Sequence, residues 1–294
     1  GSFPRSKWAA GVQDRANEIV TEQNAKFPNR TGEGVALPPL TRTTTDHGWS
    51  YPSVEVSIDG RVANLLHKGP EEDPERSADT WSLRAFRELE DALLHLRINH
   101  LEVGLINIRT TGDSAKVLQH EKFIIEGANN DWFLNEVKHF QSQCLRRLDN
   151  MAKSVFAIIE PGHCFDGILF ELTLAADRSY MLLDEEEENT VELSQANAGE
   201  FPMANGLSRL VARFPGDPEA PGVALDEDGP IDAETAEDLG IVTAAPDDID
   251  WDDEIRIAIE ERISMSPDAL TGMEQNLRFG GSENCETKIY GRLS

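Results

Sequence analysis

Cysteine is scarce in this chain. Three occur in 294 residues, Cys144, Cys164 and Cys285, far apart and with no CxxC pair. That spacing excludes a disulfide-stapled scaffold and a zinc ribbon. Basic residues are also few: 27 Lys and Arg stand against 54 Asp and Glu, a net charge of -27. Such a surface repels phosphate backbones and anionic headgroups, so neither a nucleic-acid nor a membrane partner is expected. Long apolar runs are missing, and nothing approaches the roughly 18 residues that a bilayer-spanning helix needs. The start, GSFPRSKWAAG, lacks the apolar core of a secretory signal, and a cytoplasmic protein is expected. No HxxxH or HxH pair occurs, so no metal is expected.

What is present supports a folded core. Hydrophobic residues make up 39% of the chain, too many for wholesale disorder. The acids are spread along the sequence; DEEEEN at Asp184–Asn189 is the one dense block and falls where a loop is expected. Dispersed acids read as a solvated surface, of a kind that suits a high-salt cytoplasm. An acidic binding or oligomerisation module is the alternative reading.

Periodicity gives the elements. Trp8–Glu22 has helical spacing, with Val12, Ala16, Ile19 and Val20 on one side. Phe27–His47, rich in Pro, Gly and Thr, reads as a linker. Ser53–Asn64 alternates around Asp59-Gly60 and predicts a hairpin. Pro70–Asp79 reads as an acidic loop. Leu83–Asn99 and Trp132–Met151 predict helices, Val103–Arg109 and Val155–Ile159 strands, and TTGDSAK a loop between them. Ile168–Ala176 predicts a helix and Tyr180–Leu183 a strand. A helix begins at Ser208–Arg213. Asp232–Leu239 predicts another, ended by Gly240 and followed by a strand, IVTAA. Trp251–Ser264 is the last clear helix, with acids crowding its N-terminus. Strands alternating with helices give an α/β fold with crossover connections.

Two places invite chemistry. In PGHCFDG, His163, Cys164 and Asp166 resemble a nucleophile with its base. Neighbours in a tight turn usually point apart, and a nucleophile must meet its base in space. The competing reading is a buried, inert Cys164 and a surface His163. Glu171 lies at the start of the following helix, between Phe170 and Leu172. Apolar surroundings raise a carboxyl pKa and suit it to acid–base work; a capping or ion-paired glutamate is the equal alternative.

Three segments in order resemble the crotonase (enoyl-CoA hydratase) superfamily. GILFELTLAAD parallels the family's GGGxELALACD helix, with Glu171 to Asp177 matching. SQANAGEFPMANGLSRL matches a second motif at Asn197, Gly199, Pro202, Gly206, Arg209 and Leu210. DAETAEDLGIVTAAPD resembles a later helix–strand segment. IEPGHCF, AADRSYM, GIVTAAPDDIDWDDEIRIAIEER and MSPDALTGMEQNLRF resemble, more narrowly, the C-terminal half of the benzoyl-CoA-dihydrodiol lyase family.

That resemblance implies a β-β-α superhelix with a spiral core sheet and helices outside. It implies a crotonase-like domain over 51–294, with 1–50 holding the last helix of a preceding crotonase unit and a linker. The family's reaction is hydrolytic ring opening of 2,3-epoxybenzoyl-CoA to a semialdehyde CoA thioester and formate, with no cofactor. The implied partners are an acyl-CoA substrate derived from benzoyl-CoA, the preceding unit, and further copies of the chain. The implied site is Glu171 and Gln195 at the two proton-handling positions, with Gly167, Ile168 and Asn197 around the oxyanion turn. Ile168 and Leu169 replace two glycines whose bareness lets a ligand approach the backbone. The segment that would give the second oxyanion donor is replaced by TTGDSAKVL. Gln195 has no proton that titrates near neutrality. A scaffolding and oligomerising half is therefore expected; the competing expectation is a self-sufficient hydratase or lyase that uses Glu171.

Overall fold

A computed structural model describes residues 4–27, 34–184, 186–227 and 229–279. The Gly1-Ser2 start, residues 28–33 of the expected linker, Glu185 of the acidic block and Cys285 lie outside them. The chain divides into two units, Gly1–Leu37 and Pro38–Ser294. The first carries helix α1, Trp8–Lys26, one turn longer than its periodicity predicts; Gly11 is buried there, while Trp8, Val12, Ile19 and Val20 are exposed.

The second unit is built on a seven-stranded sheet ordered as in the sequence. Its strands are β1 (Thr43–Thr45), β2 (Gly48–Ser50), β3 (Val54–Asp59), β4 (Val62–Lys68), β5 (Leu105–Thr111), β6 (Ser154–Ile159) and β7 (Arg178–Met181). β1 to β4 pair antiparallel, and β4 to β7 pair parallel. The predicted hairpin closes at Asp59–Val62, where Gly60 takes a left-handed φ of 55° that a side chain would disfavour. β1 falls inside the expected linker, so that segment ends as an edge strand.

Parallel neighbours require crossovers, and helices supply them. Helix α2 (Trp81–Asn99) joins β4 to β5. Helices α3 (Ser114–Ala128) and α4 (Trp132–Asp149) join β5 to β6, and α5 (Phe170–Ala175) joins β6 to β7. Then follow α6 (Arg209–Arg213), α7 (Ala220–Leu225), α8 (Ala233–Asp238), α9 (Trp251–Ser264) and α10 (Pro267–Leu277). A two-stranded ribbon, β8 (Thr190–Val191) with β9 (Ile231–Asp232), lies between.

The sheet is buried on both faces, which explains why β6 reads as an unbroken apolar run, VFAII. Val155, Ala157 and Ile159 join the main core with Phe86, Leu89, Leu93 and Leu96 of α2 and Leu145 and Leu148 of α4. Phe156 and Ile158 face the other way, packing with Tyr180 and with Trp251, Ile255 and Ala258 of α9.

Three expectations are corrected. The expected loop TTGDSAK is mostly not a loop: Thr110 and Thr111 end β5, and α3 begins at Ser114, capped by Asp113, which accepts from the Ala115 N–H at 2.9 Å. IVTAA is not a strand; Ala244 makes a single parallel bridge to Tyr180. Trp251–Ser264 is not the last helix, because α10 follows, with Ser266 capping and Pro267 at its first position.

Candidate active site

The turn between β6 and α5 carries the candidate residues. A short 3₁₀ turn, Gly167–Leu169, leads into α5 and is wholly buried. Gly167 has φ 50°, and a Cβ built there would lie 2.2 Å from Oε2 of Glu121 and 2.9 Å from Leu118. Glycine is therefore required twice, by conformation and by the close approach of α3. The Ile168 side chain is fully buried in the main core, as are Leu169 and Phe170. It fills the core; what lies over the turn is α3.

Glu171 is 1% exposed and ion-paired. Its Oε2 accepts from Nη1 of Arg209 at 2.7 Å, and its Oε1 from Nδ2 of Asn197 at 2.8 Å. Arg209, also 1% exposed, donates through Nε and Nη2 to both oxygens of Asp149, at 2.8 and 2.7 Å, and through Nη1 to the Phe201 carbonyl. Burial pushes the Glu171 and Asp149 carboxyls up, and Arg209 pulls the other way. Burial works against the charge of Arg209, but its two carboxylates outweigh that and hold its pKa above the ordinary value. One guanidinium thus ties the end of α4 to the start of α5.

Asn197 lies in an irregular π-turn, Ala196–Glu200, and is fully buried. Besides Glu171, its amide donates to the Gly167 carbonyl at 3.1 Å, and its Oδ1 accepts from the Ser194 N–H at 2.9 Å. Gln195, two residues earlier, is exposed. The structure therefore brings Glu171, Asn197 and Gly167 together and leaves Gln195 outside.

The residue that sequence reasoning missed is Glu121, on α3. It is 5% exposed, and its Oε1 accepts from the Ser194 hydroxyl at 2.7 Å. Its Oε2, over Gly167, has no hydrogen-bond partner among the described residues. Burial pushes this carboxyl up to about 7, against the pull of Ser194 and of the Ile168 and Ala196 N–H groups. The backbone donor at Ile168 thus faces a carboxyl group of its own chain.

The tempting trio disperses. Cys164 is buried, with its sulfur 3.0 Å from where a Cβ on Gly69 would stand, and burial pushes its thiol up to about 12. His163 is half-buried rather than on the surface; its Nδ1 accepts from the Phe165 N–H at 2.8 Å, and burial lowers its pKa to about 4. Asp166 accepts from the Glu192 N–H at 2.6 Å. A neutral thiol whose neighbouring imidazole is engaged with the backbone has no activated base beside it. Among the described residues, no three His, Cys, Asp or Glu side chains are grouped to hold a metal.

No protein-family model matches the chain. It is 44% identical over 302 aligned residues to benzoyl-CoA-dihydrodiol lyase of Aromatoleum evansii, covering 99% of this chain and 54% of that protein. Among solved structures, Pseudomonas aeruginosa AtuE superposes with a TM-score of 0.60 at 16% identity, covering 81% of this chain and 88% of AtuE. An enoyl-CoA hydratase from Geobacillus kaustophilus gives 0.58 at 12% identity, covering 86% and 88%. The chain is a relative of benzoyl-CoA-dihydrodiol lyase and has the crotonase fold. It spans about half the length of that curated relative.

Of the residues that carry the crotonase resemblance, Glu171 is engaged in a buried ion pair and Gly167 is covered by Glu121. Asp177, the last residue of the matched helix motif, accepts from Arg278, just beyond α10, at 2.7 Å and from the Val155 N–H at 2.7 Å. The matched positions thus hold segments to one another.

Proposed function

We propose that this chain is the C-terminal crotonase unit of a benzoyl-CoA-dihydrodiol lyase, and that it serves the enzyme as a scaffold. The reaction of the whole protein would be hydrolytic ring opening of 2,3-epoxybenzoyl-CoA, carried out by the unit that precedes this one. The carrying observation is the engagement of Glu171 by Arg209 inside the core, where the carboxylate is 1% exposed. General acid–base catalysis needs the group within hydrogen-bond distance of the reacting proton. The covered Gly167 turn supports the same reading, because an oxyanion hole works only when its donors face the space the thioester oxygen will occupy. A scaffold of this kind would act by holding the preceding unit and by associating with further copies of the chain. Among the described residues, no helix is long and apolar enough to cross a membrane.

The test is Glu171→Gln in the full-length enzyme, with kcat expressed per folded molecule. An unchanged kcat is the expected result; a loss of a hundredfold or so, the scale of a lost acid–base group, overturns the scaffold reading. One observation favours a second reading. Glu121 is poised near neutrality beside the Ile168 N–H, where a proton-handling group would act. Glu121→Gln in the same enzyme separates the two, since it abolishes turnover only if this half is itself a hydratase or lyase.

A further inference from the structure

A cavity of about 560 Å³ opens at the far end of α5 from Gly167, walled by residues 174–178, α6 and α10. Five arginines line it, against three carboxylates. Three of the arginines are committed. Arg209 bonds Asp149 at 2.7 Å, Arg278 bonds Asp177 at 2.7 Å, and Arg262 bonds Glu274. The other two, Arg178 and Arg213, have no carboxylate within ion-pairing distance among the described residues. Arg178 donates to the Tyr180 phenol oxygen at 3.3 Å, and Arg213 donates through Nε to the Gly240 carbonyl at 2.5 Å. A guanidinium offers five N–H donors, so most of their capacity is uncommitted.

Two half-buried guanidiniums with no directly bonded carboxylate are unexpected in a chain with twice as many acids as bases; Glu261 and Glu274 act on Arg178 from a distance, while only burial acts on Arg213. Partly desolvating a cation without a partner is unfavourable, and burial alone lowers Arg213 to about 10. An anion in the cavity would remove that penalty. The planar guanidinium fork fits carboxylate and phosphate oxygens in pairs, and the volume falls in the roughly 300–1,000 Å³ range of small-molecule sites.

We propose that this cavity binds a small oxyanion-bearing molecule, its phosphate or carboxylate group held by Arg178 and Arg213. The site is independent of the scaffold reading, because neither arginine contacts Glu171, Gly167 or Asn197. Calorimetric titration of the 294-residue chain with inorganic phosphate and, separately, with succinate, at one fixed ionic strength, tests it. Saturable binding of phosphate assigns a phosphoryl ligand, and of succinate a carboxylate; either supports the site. Arg213→Gln and Arg178→Gln should each weaken binding about tenfold or more, the scale of a lost charged hydrogen bond. Ala212→Glu, which sets a carboxylate on the cavity wall while leaving both arginines in the sequence, should weaken it likewise and keeps the test open if an arginine variant fails to fold. No binding of either anion, or binding undiminished in the folded variants, overturns the proposal.

Discussion

Nη1 of Arg209 lies 2.7 Å from Oε2 of Glu171, and both side chains are 1% exposed. On the reading proposed above, Glu171 stands where an active crotonase would handle protons, and a cation is locked onto it. Breaking one side of a buried ion pair leaves an uncompensated charge, which costs about 3–5 kcal/mol. Arg209→Met should lower unfolding stability by that order, because it strands both Glu171 and Asp149. Glu171→Gln should cost less, since Arg209 keeps Asp149. Chemical denaturation of the three chains checks the ranking.

Glu121 gives a pH signature. Its carboxyl is raised from the ordinary 4.5 to about 7 in the fold, so between those values the folded state holds a proton that the unfolded state has lost. Stability must then fall as pH rises through that window, and the loss is complete above about 7. Glu121→Gln removes this slope. The variant should gain on the wild type by up to about 3 kcal/mol at pH 8 and by little at pH 4. Denaturant midpoints at the two values measure it.

Ile168 and Leu169 are core residues and not obstructions to a ligand. Ile168→Ala should cost about 2–5 kcal/mol, as truncation of a fully buried aliphatic side chain does. It should leave the rate of the full-length enzyme unchanged. Thermal unfolding and steady-state kinetics on the same preparation separate the two effects.

Cys164 should be slow to alkylate. With its thiol pushed up to about 12, the thiolate is a minute fraction at pH 8, and the sulfur is fully buried. Peptide mass spectrometry after iodoacetamide treatment should find Cys164 unmodified in the native chain and modified in denaturant. Rapid native labelling would restore the nucleophile reading.

Much of the frame was legible because its periods are clean. α2 and α4 show helical apolar spacing, β6 is an apolar run between two packed layers, and Asp59-Gly60 marks the hairpin. α3 was hidden because His120 and Glu121 interrupt the apolar face that Val117, Ile124 and Ile125 define. Those polar residues are buried by partners far away in sequence: His120 meets Ser82 and the Glu72 carbonyl, and Glu121 meets Ser194. The Ser266-Pro267-Asp268 start of α10 was a readable helix signal that the weak apolar pattern after it obscured. Glu171 could be singled out from its setting, but its partner Arg209, 38 residues on, could not be assigned before the fold joined them. For the same reason Gln195, adjacent in sequence to the cluster, gave no sign that it would face outward.

Asn197 has a consequence for how this fold opens. One fully buried amide side chain holds the Gly167 carbonyl, the Glu171 carboxylate and the Ser194 N–H. The glycine turn, the first turn of α5 and the π-turn cannot part independently without leaving a buried polar group unmet. They should behave as one cooperative unit in native-state hydrogen exchange, the amides of Ser194, Ala196 and Gly167 sharing a single opening free energy. Asn197→Ala should split that shared value into separate ones.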